Sequence, residues 1–132
     1  MYDKQSMWTV SLPNYDYGDG DTVDVTSVMF PTGYAGRLID IGVSVTETFA
    51  CDSTAACVKV GTATNDDAYG KLNIPDGSAD TNYINAADDT DVVISAEIPA
   101  ATQIEITPVA GTDSGTAAGK GNTYITFEIY KV

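Results

Sequence analysis

Histidine is absent from this chain, and Lys and Arg together number only 6 against 19 Asp and Glu. The first absence removes the usual general base, the Ser-His and Cys-His nucleophile pairs and the commonest metal ligand in one step. The second leaves a formal charge of −13 at pH 7. That argues against a surface that tracks phosphates, because nucleic-acid binders concentrate Lys and Arg to displace counterions. The expected partner is therefore not a nucleic acid but a protein with a basic patch. Leucine occurs only three times and strong helix formers other than Ala are scarce, so helix should be minor. No segment approaches the roughly 18 apolar residues of a membrane span, which excludes a helical membrane anchor. The opening MYDKQSMWTVSLPNYDY has no continuous apolar stretch of the kind a secretory signal carries. The expectation is synthesis in a cytoplasm and no membrane partner.

What is present is β-branched and aromatic sequence, including eight tyrosines, in a length of 132 residues that suits one domain. The clearest stretch is Gly36 to Phe49, GRLIDIGVSVTETF. Ile39, Ile41, Val43, Val45 and Phe49 occupy odd positions, and the even positions from Asp40 to Thr48 are small or polar, a period of two broken only by Glu47. It reads as a long strand with one face in a core. Further strand candidates are Thr22–Phe30, Val58–Val60, Tyr69–Ile74, Asp91–Pro99, Thr102–Val109 and the closing TYITFEIYKV, separated by turn-forming residues. About eight strands with alternating faces and no intervening helices point to an all-β fold. The expected form is an antiparallel two-sheet β-sandwich of jelly-roll-like type over residues 21–132. Residues 1–20 contain Pro13 and the turn-rich YDYGDGD, and read as an extended N-terminal arm or lead-in.

The arm is rich in large apolar groups for a solvated tail. Tyr2, Trp8, Leu12 and Tyr15 are its candidate docking residues, either on its own domain as an edge strand or on a neighbouring subunit. Asp16, Asp19 and Asp21, and then Asp88, Asp89 and Asp91, form acidic clusters, but neither matches the spacing of a helix-flanked calcium loop, so they read as solvated turns. The glycines from Gly111 to Gly121 lack the order of a phosphate-binding loop and read as a hairpin loop. Cys51 and Cys57 flank a polar loop; a disulfide and two small buried thiols are both compatible with that spacing. Carboxylate pairs remain the one route to catalysis, and the acids fall mostly in turns or on outward positions. The chain is expected to be a binder or structural protein without cofactor or metal, and not an enzyme.

GRLIDIGVSVTETF, followed by VKVGTATNDDAYGKL, and the closing IEIT with GTAAGKG and YITFEIY resemble the small decoration, or cement, proteins of tailed-phage heads. The likeness covers Gly36 to Val132 and leaves the arm aside. It implies a jelly-roll-like sandwich on the capsid exterior of a virion, assembled as a homotrimer, bound to the major capsid protein and stabilising the shell. The rival expectation is a carbohydrate-binding or adhesion module of a phage fibre or bacterial surface protein, acting through exposed tyrosines such as Tyr34, Tyr69 and Tyr83.

Overall fold

A computed structural model describes residues 5–19, 24–88 and 96–132. The alternation in the sequence becomes nine strands: β1 (Gln5–Asp16), β2 (Thr26–Val28), β3 (Tyr34–Ala50), β4 (Ala56–Gly61), β5 (Gly70–Ile74), β6 (Tyr83–Ile84), β7 (Glu97–Ile98), β8 (Ile104–Val109) and β9 (Ala118–Lys131). They form two sheets with every pairing antiparallel. The five-stranded sheet runs β1-β9-β3-β6, with β7 also paired to β3, and the four-stranded sheet runs β2-β8-β4-β5. One hydrophobic core joins them, with Leu38, Ile41, Val43, Ile125 and Phe127 from the first sheet facing Val58, Val60, Leu72, Ile104 and Ile106 from the second. This is a β-sandwich, as the alternation implies. Of the expected strands over 22–30 and 91–99, only Thr26–Val28 and Glu97–Ile98 are strand among the described residues; 20–23 and 89–95 lie outside them.

The long strand β3 is not a single unbroken alternation. In the β3–β9 ladder Leu38 pairs with Phe127 and Asp40 with Thr126, so Ile39 is the extra residue of a β-bulge. The bulge reverses the phase: Leu38 is fully buried, whereas Ile39 is 39 % exposed, contrary to the expectation that Ile39 heads the buried row. Further irregularities fall between Val45 and Glu47 and between Glu47 and Ala50, which accounts for the break in alternation at Glu47. Each added residue increases the local twist, and together they coil the strand around the core.

Residues 5–16 lie inside the sandwich and do not precede it. Ten register pairs, from Gln5↔Tyr130 to Asp16↔Lys120, seat β1 along β9 as the edge strand of the larger sheet. Pro13 is tolerated there because an edge position needs no donor on its open side. The ladder skips Pro13 and Asn14, where Asn14 takes a positive φ of 46° and its N–H donates to Asn122 Oδ1 at 2.8 Å. Trp8, Val10 and Leu12 face inward against the core. Trp8 packs on Phe30 and Phe127 with ring centroids 5.5 and 5.9 Å away.

The YDY run hides a core residue at its turn. Tyr17 is fully buried, packs 5.5 Å from the Phe49 ring, and shares a 2.6 Å hydrogen bond between its hydroxyl and that of buried Thr123. The glycine-rich stretch is likewise half strand, since β9 begins at Ala118. A Cβ at Gly119 would meet the Phe49 ring and one at Gly121 the Val43 side chain. The first part of the polar loop, residues 76–82, is also tied down: Gly77 and Thr81 donate to the Phe49 and Val45 carbonyls, and Phe49 and Val45 donate to the Ser78 and Asn82 carbonyls.

Two tests follow from this packing. Leu38→Ala should lower unfolding free energy by about 2–5 kcal/mol, and Ile39→Ala by no more than about 1 kcal/mol, in denaturant titrations. Equal effects would contradict the bulge. Tyr17→Phe leaves the Thr123 hydroxyl unpaired and should cost about 1–3 kcal/mol, while Tyr17→Phe with Thr123→Val should recover most of it.

Candidate interaction surface

The candidate docking residues of the arm are mostly used within their own domain, the edge-strand alternative. Trp8, Leu12 and Tyr15 are partly buried against the core, and Tyr15 stacks edge-on with Tyr17 at 4.8 Å. Burial and the nearby Asp24 push the Tyr15 phenol pKa up. Tyr2 lies outside the described residues.

Cys51 and Cys57 are both free and buried, the second of the two arrangements their spacing allows. Alternation on β4 explains it, since Ala56, Val58 and Val60 point into the core and Cys57 points to the other face, across from Asn73 and Val109. Cys51 instead belongs to the core, and its Sγ donates to the Ala118 carbonyl at 3.6 Å. Burial raises both thiol pKa values, which the nearby Lys71 and Lys59 partly offset at Cys57. Neither thiol is poised as a nucleophile.

Two members of the acidic clusters, Asp16 and Asp88, cap turns. Asp16 accepts the Gly18 N–H at 2.9 Å and Asp88 that of Asn85 at 3.0 Å; Asp21, Asp89 and Asp91 lie outside the described residues. Among the described residues no three His, Cys, Asp or Glu side chains gather closely enough to hold a metal ion. A different acidic pair does structural work that sequence spacing could not reveal. Asp52 accepts the Ser114 N–H and hydroxyl, both at 2.7 Å, while Asp113 accepts the Asp52 N–H and the Gly115 N–H, both at 2.9 Å. This reciprocal latch joins the loop after β3 to the loop before β9, beside the Thr54↔Thr112 bridge. The Ser114 hydroxyl, with the Ser114 N–H, holds the Asp52 carboxyl at a pKa of about 2, below its ordinary 3.8.

The outward face of the five-stranded sheet carries the most distinctive surface. Along β9 the residues Tyr124, Thr126, Glu128 and Tyr130 alternate with the buried Ile125, Phe127 and Ile129. Tyr83, 49 % exposed on β6, lies across β3 so closely that a Cβ at Gly42 would fall on its hydroxyl. Tyr124 pairs with that same glycine from the other side. The Tyr83 hydroxyl donates to Asp40 Oδ2 at 3.3 Å, and partial burial, then the Asp40 charge, raise its pKa. Farther along, the Arg37 guanidinium sits 6.0 Å above the Tyr130 ring and 3.8 Å from Glu128. Three tyrosines, an arginine and short polar residues thus share one sheet face.

Tyr34, Tyr69 and Tyr83 do not converge. Tyr34 pairs with Lys131 and Tyr83 with Ser44, ten residues apart on β3 and on the order of 30 Å along a strand. Tyr69 precedes β5 in the other sheet, its N–H bound to the Val60 carbonyl. Tyr34 and Tyr69 also pack partly into the core. Tyr124 lies beside Tyr83 across Gly42, whereas Tyr130 stands opposite Ala35 near the other end of β3; the alternation of the closing strand turns both outward, and only the strand order puts them on one face with Tyr83.

The latch has a defined pH window. Because folding depresses the Asp52 pKa, its contribution is complete above about pH 3.8 and disappears as pH falls through about 2. Ser114 amide protection, measured by NMR exchange relative to intrinsic rates, should hold at pH 4 and fall toward pH 2. Asp52→Asn should already be less protected at pH 4.

No protein-family model matches this chain, and no curated protein matches it. A solved structure described as the cyanophage Pam1 capsid asymmetric unit aligns over 98 % of this chain and 85 % of that chain, with a TM-score of 0.36 and 15 % identity.

Proposed function

We propose that this chain is a non-enzymatic structural protein of a phage virion, a homotrimer that binds the major capsid protein on the outside of the shell and stabilises it. The observation that carries this reading is the outward face of the five-stranded sheet. Tyr and Arg are enriched at the centres of protein interfaces because they bring large area and hydrogen bonds at low conformational cost. Tyr83, Tyr124, Tyr130 and Arg37 supply that combination on a scaffold held by the β3–β9 ladder. The stretches that resemble decoration proteins supply β3, β4, β5, β8 and β9, the strands that build this face and its support. The charge of −13 suits a protein that must bind a shell and not the nucleic acid inside it.

A second reading has one local observation in its favour. An exposed tyrosine beside a carboxylate, as in Tyr83 with Asp40, is a workable platform for stacking a sugar ring and bonding a hydroxyl. Glycan binding that disappears in Tyr83→Ala would favour an adhesion module.

The direct test uses shells from the encoding phage stripped of this protein. The purified chain should co-sediment with them and raise their melting temperature. Tyr124→Ser with Tyr130→Ser should weaken binding at least tenfold, about 1.4 kcal/mol, at unchanged domain stability. Failure of the wild-type chain to bind such shells would refute the reading. Deleting residues 1–14 is not a usable test, since it removes most of β1 from the sheet.

A further inference from the structure

The two longest stretches without a charged residue are Gln5–Tyr15 and Val25–Gly36, eleven and twelve residues; no other exceeds seven. They are separate in sequence and meet in the fold. The first forms most of β1, the outer strand of the larger sheet, and the second contains β2, the outer strand of the smaller. Trp8 from the first touches Phe30 from the second, and Leu12, Pro13 and Tyr15 share a groove with Thr26, Pro108 and one carboxylate, Asp24. One open edge of the sandwich is therefore free of charge along Gln5–Leu12 and Val25–Gly36, with Asp16, Asp19 and Asp24 gathered at its Pro13 end, in a molecule that is acidic elsewhere.

That edge is also apolar, and among the described residues no strand pairs along the outer side of Gln5–Leu12. Met7, Val25 and Met29, at its two rims, are 61, 47 and 51 % exposed, while Trp8, Val10, Leu12 and Val28 are only partly covered. Among the described residues, β1 has β9 as its sole strand partner, so alternate N–H and C=O groups along its other side have no ladder. Long edges are ordinarily guarded against association by charged side chains, bulges or proline. Here the guards, Pro13 and the irregularity at Asn14, stand at one end, and Gln5–Leu12 has none.

We infer that this edge is where a second copy of the chain is seated. The occupant follows from charge. A basic partner would be drawn to the acidic faces, whereas two copies carrying −13 each repel one another everywhere except across a neutral surface. The neutral edge lets like-charged copies approach, buries Met7 and Met29, and offers the free side of β1 for contact. This deepens the proposed function, on whose homotrimer it rests, by naming the face through which the copies meet.

The test is analytical ultracentrifugation of the full chain across a concentration series, with Val25→Glu/Met29→Glu compared against Ala63→Glu/Thr64→Glu. Both doubles add the same charge, the second in the β4–β5 loop at the far edge of the smaller sheet. The wild type and the loop variant should assemble alike, and Val25→Glu/Met29→Glu should weaken assembly at least a hundredfold at native circular dichroism. Hydrogen exchange of the wild type on dilution through dissociation supplies a readout that needs no variant: 5–12 and 24–30 should lose protection while 56–74 stays unchanged. A monomeric wild type, equal effects of the two doubles, or exchange changes confined to other segments would overturn the inference. A chain that assembles through this edge but ignores shells sinks the functional reading alone. One that binds shells as a monomer sinks the inference alone.

Discussion

The pairing of β3 with β9 is the constraint on which the rest of the molecule depends. These are the two longest strands, joined along almost their whole length, and each has a further strand on its free side. Their inward residues supply the centre of the core, and their outward residues supply most of the tyrosine face. The fit is close enough that Gly119 and Gly121 are needed where β9 passes Phe49 and Val43, and Gly42 where Tyr83 crosses β3. A single ladder therefore sets both the packing inside and the shape presented outside.

Much of this was readable from period-two alternation. β4, β5, β8 and β9 fall where apolar and polar residues alternate, and Ile125, Phe127 and Ile129 are buried as that pattern requires. Where the sequence misled or left alternatives open, the physical origin is shared: partners distant in sequence decided the outcome. Ile39 fits the alternation and still faces out, because the bulge is defined by the register of β9, more than eighty residues away. Pro13 and the YDYGDGD run argue against a strand locally, yet β1 gains its ladder from β9, and Tyr17 its hydrogen bond from Thr123. Cys51 and Cys57 are close in sequence and point to different faces, which spacing alone does not tell. The tyrosine face was half legible: each outward tyrosine could be named, but not its neighbours across strands.

Charge is arranged with equal economy. Arg37, Lys59 and Lys120 are each within ion-pair distance of an acid, so little positive potential is left exposed around them. Such surface pairs contribute little stability individually. Their effect is to leave the acidic character of the surface broken chiefly by the uncharged edge and the tyrosine face. The Asp52–Asp113 latch shows the complementary use of acids, as acceptors that satisfy loop N–H groups where no strand can.

The antiparallel register of β1 on β9 has a mechanical consequence. Gln5 lies opposite Tyr130, so the two strands nearest the chain ends leave the sheet from the same rim, about one strand spacing apart. Tension applied between those ends would open the β1–β9 rungs one after another, as a zipper does, at low force. Tension applied across the sheet face would load many rungs of the β3–β9 ladder at once and meet far greater resistance. The domain is thus stiff across the β3–β9 ladder and compliant along the β1–β9 edge.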